Sequence, residues 1–511
     1  MTPPRPATAP TSRVRRALAR VRLIHLVPVF ALIALSAWAF ASPVGASPDD
    51  DFHLTSIWCA QAAATECSPG ANASERRVPE ALVRSGCYIR QPNVSAGCQR
   101  GVSYNPHDTV LTSRGNFVGG YPPVYYAAMS VFVGSDIRVS ALVIRIVNAA
   151  LFVALATALF ALLPARRRPA AAWGWLLSTV PLALFIIPSD NPSSWTVAGV
   201  GVGWLALLGW FETEGRRKLG LGCVFLLAGI MAAGSRSDGA IYTALGIAVA
   251  VVLSWRRDRR FLLDLILPAV VLVLCALSAL TSSQSLSVVN GFGGATGATG
   301  SGETPNPLAL LAFNLLNVPS LWAGALGTWS LGWFDTVMPA VVAFGSIGCF
   351  VGIGFLGFGS LSRRKALALA GVGAALIVIP VYVLTKGGDR VGVEVQPRYL
   401  LPAIVLLAGL LAISAGRRSI RPSRGQVILV ILTLAVAQFV ALDTNLRRYV
   451  SGAGSRGWNL DDGIQWWWNM PVPPMAVLIV GSLAYLACVA VLVAEVTDRR
   501  LPLLSASKVM T

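Results

Sequence analysis

The run Pro48-Asp49-Asp50-Asp51-Phe52-His53 gathers more reactive side chains than any other stretch of this 511-residue chain. Three adjacent carboxylates repel one another, so at least one pKa rises unless a cation or metal stands near. A carboxylate in that state can act as a general base. A pair, Asp49 with Asp50, can instead hold a divalent ion (Mg, Mn or Ca) beside a phosphate. His53, one of three histidines, is placed to complete such a site. The same residues also suit a plainer role, an acidic N-cap opening a short interfacial helix. Both readings stand at this level.

A second motif is Gly119-Gly120-Tyr121-Pro122-Pro123-Val124-Tyr125-Tyr126. Its prolines fix an extended turn, and Tyr121, Tyr125 and Tyr126 offer stacking faces and hydroxyls of the kind that bind sugars or anchor at a membrane interface. Further polar residues stand between apolar runs: Ser189-Asp190-Asn191-Pro192, Arg236-Ser237-Asp238, and Asp389-Arg390 leading to Gln396-Pro397-Arg398-Tyr399. An arginine at headgroup depth can fork onto a phosphate, which makes Arg398, and less directly Arg236 and Arg390, candidate phosphate ligands. Local pairing, as of Arg236 with Asp238, is the competing role. Arg145 lies inside an apolar run, where a charge faces a partner or a cavity. No Walker loop, dinucleotide fingerprint, HExxH or nucleophile elbow is present in its required context.

The elements that must position these residues are membrane helices. Hydrophobic residues make up 55% of the chain and charged ones 13%, too few charges for a soluble surface of this size. Apolar runs near 22–44, 139–163, 171–188, 194–211, 219–235, 239–255, 261–281, 336–360, 366–385, 399–415, 426–443 and 474–496 predict about twelve spans, an all-α polytopic transmembrane bundle. With those runs as dividers, one face carries a net charge of +20 and the other −2, together the chain's +18. Such asymmetry predicts both termini in the cytoplasm and membrane lipids, not nucleic acid, as the partner of the basic clusters. The first run ends in a small-x-small sequence, Ala39-Phe40-Ala41, as a cleavable signal does. It is long enough to span, and a retained helix is expected.

Three stretches organise the chain: a basic N-terminus at 1–21, a membrane domain at 22–443, and a Trp-rich loop, final helix and tail at 444–511. Long connections fall on the acidic face only, so function is expected there. The first, 45–138, contains Cys59, Cys67, Cys87 and Cys98, which suggests two disulfides of undetermined pairing. Zinc binding is the rival, without CxxC spacing to support it. The second, 282–335, begins with a Gly/Ser/Thr-rich stretch that reads as a mobile loop. It continues from Leu308 to Trp333 as interfacial helices rather than a span, with Trp322, Trp329 and Trp333 at headgroup depth. Trp466-Trp467-Trp468 reads as a similar belt. No internal repeat of the transporter type is evident.

Three motifs together resemble those of a family of actinobacterial polytopic membrane proteins of unknown function, with P-D-E-x-x-H after the first helix, Y-P-P-x-Y-Y before the second, and R-Y-x-x-P at a late helix. Here they read Pro48 to His53, Tyr121 to Tyr126, and Arg398-Tyr399-Leu400-Leu401-Pro402, within about residues 25–415. Asp50 stands where that family usually has Glu, and Pro397 where Gly is common. The family's layout in turn resembles the GT-C glycosyltransferases, membrane enzymes that use polyprenyl-phosphate sugars. The resemblance implies a GT-C-like bundle in which Asp49 deprotonates an acceptor hydroxyl, with Asp50 assisting or holding a metal. It further implies Arg398 with Arg236 or Arg390 on the donor phosphate, His53 positioning the acid pair or the acceptor, and Tyr121, Tyr125, Tyr126 and Tyr399 lining the site. The donor would be a polyprenyl-phosphate sugar, the acceptor a cell-envelope glycan or lipid, and the outcome inversion.

Two other functions fit parts of the pattern. A lipid-linked glycan transporter requires polar residues along a mid-membrane path, whereas Arg145 is the only basic residue inside a run. A non-catalytic assembly protein would use the cysteine-rich loop as a binding surface and would tolerate Asp49→Asn. Convergence of Asp49, His53 and Arg398 on one cavity separates the shared-site reading from these. A separation beyond about 15 Å would dissolve it.

Overall fold

A computed structural model of the chain describes residues 23–61, 67–285, 291, 306–393, 395–414 and 422–497. The basic segments at the two termini and at Arg417 to Arg421 lie outside these residues, as does most of the Gly/Ser/Thr-rich stretch. The described residues form an all-α polytopic bundle, with eleven helices long and apolar enough to cross a membrane. Helix Ser193–Glu212 runs through the middle, 94% of its apolar window buried. Small residues permit that density: a Cβ on Gly199 would lie 2.4 Å from Ala228 O, and one on Gly174 would lie 3.0 Å from Gly409 Cα. In lipid, where no hydrophobic drive presses helices together, such close backbone packing is what associates them.

Short connections gather at one end of the bundle and carry its basic pairs. Arg167 meets Glu212 at 2.6 Å, Arg260 meets Glu214 at 2.7 Å, and Lys218 pairs with Asp264. Long connections gather at the opposite end. There the first loop folds over the helices, with a three-stranded antiparallel sheet of Ser68–Pro69, Arg76–Pro79 and Thr109–Thr112. Its cysteines pair in sequence order, Cys59 with Cys67 and Cys87 with Cys98. Arg448, fully buried, ties this loop down by donating to Val94 O and Tyr88 O and pairing with Asp335 at 2.8 Å.

Three expectations need correction. The apolar run at 171–188 is not one helix but two, Arg168–Ser178 and Leu182–Ile186. Pro181 lacks the amide hydrogen a continuous helix needs and disfavours helical geometry at Val180. The span assigned at 399–415 is a helix of 16 residues, Pro397–Ala412, shorter than the others. Residues 306–335 contain helices, as expected of Leu308 to Trp333. Helices Pro307–Asn317 and Pro319–Ala323 descend beside helix Arg363–Gly387, Asn314 Nδ2 donating to Asp389 O and Trp322 Nε1 to Leu376 O. The chain turns at Gly327, whose φ of +107° suits glycine. It then returns to the same end, where Trp333 Nε1 donates to Gly45 O. By length and hydropathy Pro307–Thr328 could cross a membrane; by its contacts it enters and leaves on one side, which keeps the downstream helices in register with the charge pattern. In the expected belt at Trp466-Trp467-Trp468 two rings are instead packed inward: Trp466 and Trp468 are buried, and Trp468 Nε1 donates to Phe40 O.

Candidate functional site

The acidic turn diverges because of its backbone. Asp49 adopts φ +61°, a left-handed conformation that aspartate tolerates, and caps helix Asp50–Cys59. Successive carboxylates therefore reach three different arginine environments. Asp49 Oδ2 accepts from Arg398 Nη2 at 2.6 Å, and its Oδ1 from Arg114 Nη2 at 3.3 Å. Asp51 takes the fork of Arg114 at 2.8 and 2.9 Å. Asp50 turns the other way into a fully buried cluster, 3.4 Å from Arg145, which also holds Asp190 at 2.6 Å. The turn is further fixed by Asn191 Nδ2, which donates to Pro48 O at 2.8 Å.

Asp49 and Arg398 thus lie in direct contact, although 349 residues separate them in sequence. His53 follows Asp49 by one helical turn, and its Nδ1 meets Tyr126 OH at 2.9 Å. Tyr121 packs edge-on against His53, with ring centroids 5.5 Å apart. Its turn is held by Asn116, which donates to Tyr121 O and accepts from Tyr121 N. Arg236 lies over both Tyr121 and Tyr399, 5.5 and 4.7 Å from their ring centroids, and donates to Asp238 at 2.8 Å. Asp49, His53, Arg398, Arg236, Tyr121, Tyr126 and Tyr399 consequently form one cluster.

Three sequence candidates fall outside it. Asp50 belongs to the Arg145 cluster, with Tyr125 close by: the Tyr125 hydroxyl accepts from Asn148, whose amide oxygen accepts from Trp195. Arg390 is exposed and covers Phe313, 5.2 Å from the ring centroid. Asp49 and Asp50, the pair offered for a metal, diverge: both Asp49 oxygens face guanidinium groups and Asp50 faces Arg145. Among the described residues no three His, Cys, Asp or Glu side chains stand together as a ligand set. Conversely, Arg114 had no sequence signal, being a lone arginine in a polar loop. Asp190 was visible only as a polar residue between apolar runs.

Burial alone would raise the Asp49 pKa, but Arg398 and Arg114 outweigh it and hold the carboxyl well below the usual range. Burial, with Asp190 beside it, pushes Asp50 well above that range despite Arg145. His53 is pushed well below its ordinary value by burial and by Arg398 and Arg236, against the opposing pull of Asp49, so it is neutral. Several buried polar atoms at the cluster find no partner within the protein: the donors Arg398 Nε and Nη1 and Arg236 Nη1, and the ring nitrogen His53 Nε2. Unsatisfied buried polar groups are costly. Two guanidinium groups with spare donors make a receptor for an anion.

Clefts flank the cluster on two sides. One, about 50 Å³, runs from Arg236 and Tyr399 along Tyr242, Pro380, Val383 and Leu400, between helices Ser237–Ser254, Arg363–Gly387 and Pro397–Ala412. The other, about 20 Å³, is bounded by Pro48, Phe185, Trp329, Phe334, Gln396 and Arg398.

No curated protein and no solved structure matches this chain. A family model described as "Predicted membrane protein (DUF2142)" matches residues 30–407, about three quarters of the chain, including every member of the Asp49–Arg398 cluster. The chain therefore belongs to the DUF2142 family of predicted membrane proteins.

Proposed function

We propose that this protein is a GT-C-type glycosyltransferase of the bacterial cytoplasmic membrane, moving a sugar from a polyprenyl-phosphate donor to a cell-envelope glycan or lipid on the extracytoplasmic side. The observation that carries the reading is the ion pair between Asp49 and a buried Arg398 whose remaining donors, with those of Arg236, lack acceptors. In this reading the donor phosphate takes up the free Arg398 and Arg236 hydrogens, and its isoprenoid chain leaves along the apolar cleft beside Tyr242 and Pro380.

Phosphate binding draws Arg398 away from Asp49. The carboxylate, no longer held down by that guanidinium and still half-buried, becomes a stronger base. Asp49 accepts the proton of the acceptor hydroxyl as its oxygen attacks the anomeric carbon. The bond from that carbon to the phosphate oxygen breaks, and the electron pair leaves with polyprenyl phosphate, whose charge Arg398 and Arg236 hold. Configuration inverts in this single displacement. Neutral His53, fixed through Nδ1 by Tyr126, offers Nε2 to position the acceptor.

The test is transfer from radiolabelled polyprenyl-phosphate sugars by the purified protein and by Asp49→Asn. The wild type should transfer label, and the variant should be slower by about 10²-fold or more at unchanged expression, the range for loss of a general base. Equal transfer by both, or none by the folded wild type across the donors, would remove the reading.

A further inference from the structure

A cavity of about 460 Å³ lies away from the Asp49 cluster and reaches the basic end of the bundle at Arg168. It is enclosed by helices Val27–Phe40, Ile137–Leu162, Arg168–Ser178 and Pro474–Thr497. Its walls are apolar, including Leu35, Phe152, Ala156, Leu176 and Val489, while charge appears only at the mouth, in His25, Arg168 and Glu495. We infer that this cavity binds one acyl chain of an anionic phospholipid from the leaflet at the basic end, with its headgroup at Arg168 and His25.

Dimensions select this occupant. Along Ile137–Leu162 the lining runs from Phe152 to Ala161, and along Pro474–Thr497 from Tyr485 to Glu495, which is about 14 and about 15 Å of helix rise. The hydrocarbon core of a bilayer is about 30 Å thick, so one leaflet's chain needs about 15 Å. The cavity stops where such a chain would stop. An apolar space of this size is of ligand-binding dimensions, and burying methylene groups in it is favourable in proportion to their number.

Charge selects the headgroup. Arg168 Nε is buried without an acceptor, and the guanidinium lies over Phe160, 5.4 Å from its ring centroid, at the rim. A lipid phosphate supplies the missing acceptor in the geometry arginine favours. The surrounding connections carry Arg166, Arg167, Arg216 and Arg217, an environment that attracts anionic lipid. None of these residues belongs to the Asp49 cluster, and the inference stands without the proposed activity.

The experiment places the full-length protein in nanodiscs of phosphatidylglycerol and phosphatidylcholine, with phosphatidylglycerol carrying a photoreactive group at the end of one acyl chain. After irradiation, the expected adducts fall on peptides containing Thr179, Leu184 or Tyr485, at the closed end of the cavity. Adducts only at perimeter residues such as Val273 and Phe355 would overturn the inference. So would displacement of the label by unlabelled polyprenyl phosphate, or cross-linking of residues 1–22 to the cavity walls. Ala156→Trp should cut the cavity adducts about tenfold, and Arg168→Gln should abolish the preference for the phosphatidylglycerol probe over a phosphatidylcholine one. Unchanged yield in Ala156→Trp, or unchanged preference in Arg168→Gln, would contradict it. Should Ala156→Trp fail to fold, the wild-type adduct map decides alone.

Discussion

Three consecutive carboxylates, Asp49, Asp50 and Asp51, end in different electrostatic states because the left-handed turn at Asp49 sends them to different partners. Asp50 and Asp190 share the buried Arg145, two acids with one base, and burial pushes both carboxyls upward. A folded-state pKa above the unfolded value favours folding most below that unfolded value, and the contribution is lost as pH rises through the folded one. Melting measured in detergent should therefore show a component that declines as pH rises above about 4, the ordinary carboxylate value. Asp190→Asn, which leaves one acid with one base, should flatten that component; an unchanged slope would show that the pair does not share a proton. Arg145→Gln should cost about 3–5 kcal/mol, because it strands two buried carboxyl groups. The acidic motif, His53 and Arg398 were readable as candidates because unusual polar residues stand out beside apolar runs. The separation of Asp49 from Asp50 was not readable, since it depends on one backbone torsion and on partners 95 and 140 residues away.

Helix ends are handled locally. Lys365 is buried and donates to Gly357 O, Leu411 O and Ile413 O at 2.7, 2.9 and 2.7 Å. One ammonium thereby closes the ends of helices Ala340–Phe358 and Pro397–Ala412, whose terminal carbonyls lack partners of their own. Lys365→Met keeps the stem and removes those bonds. It should lower stability by about 3 kcal/mol in thermal denaturation, and an unaltered melting temperature would assign the carbonyls other partners. The apolar runs that predict spans were legible because length and composition govern membrane crossing. Two elements were not. The helix break at Pro181 interrupts hydropathy that continues on both sides. The path of residues 307–335 depends on tertiary bonds such as Asn314 to Asp389 and Trp333 to Gly45.

The whole bundle has one end with short basic connections and one with long loops, the tethered first loop and the Asp49 cluster. Positive charge retained in the cytoplasm orients such a molecule, and the proposed function requires the cluster to lie outside. A cysteine introduced at exposed Ser113 should be labelled by a membrane-impermeant thiol reagent on intact cells, and one at exposed Arg217 only after lysis. The reverse pattern would invert the topology and move the site to the cytoplasm. The charge asymmetry was visible from spacing alone, whereas the two clefts on either side of Arg398 come from helices distant in sequence.

Central to the account is a lipid phosphate that competes with Asp49 for Arg398. A cryo-electron microscopy structure of the protein with polyprenyl phosphate bound addresses this directly. The account predicts phosphate oxygens within hydrogen-bond distance of Arg398 and Arg236, with the present 2.6 Å contact between Arg398 and Asp49 opened. A phosphate bound elsewhere, or the ion pair intact beside bound lipid, would contradict it.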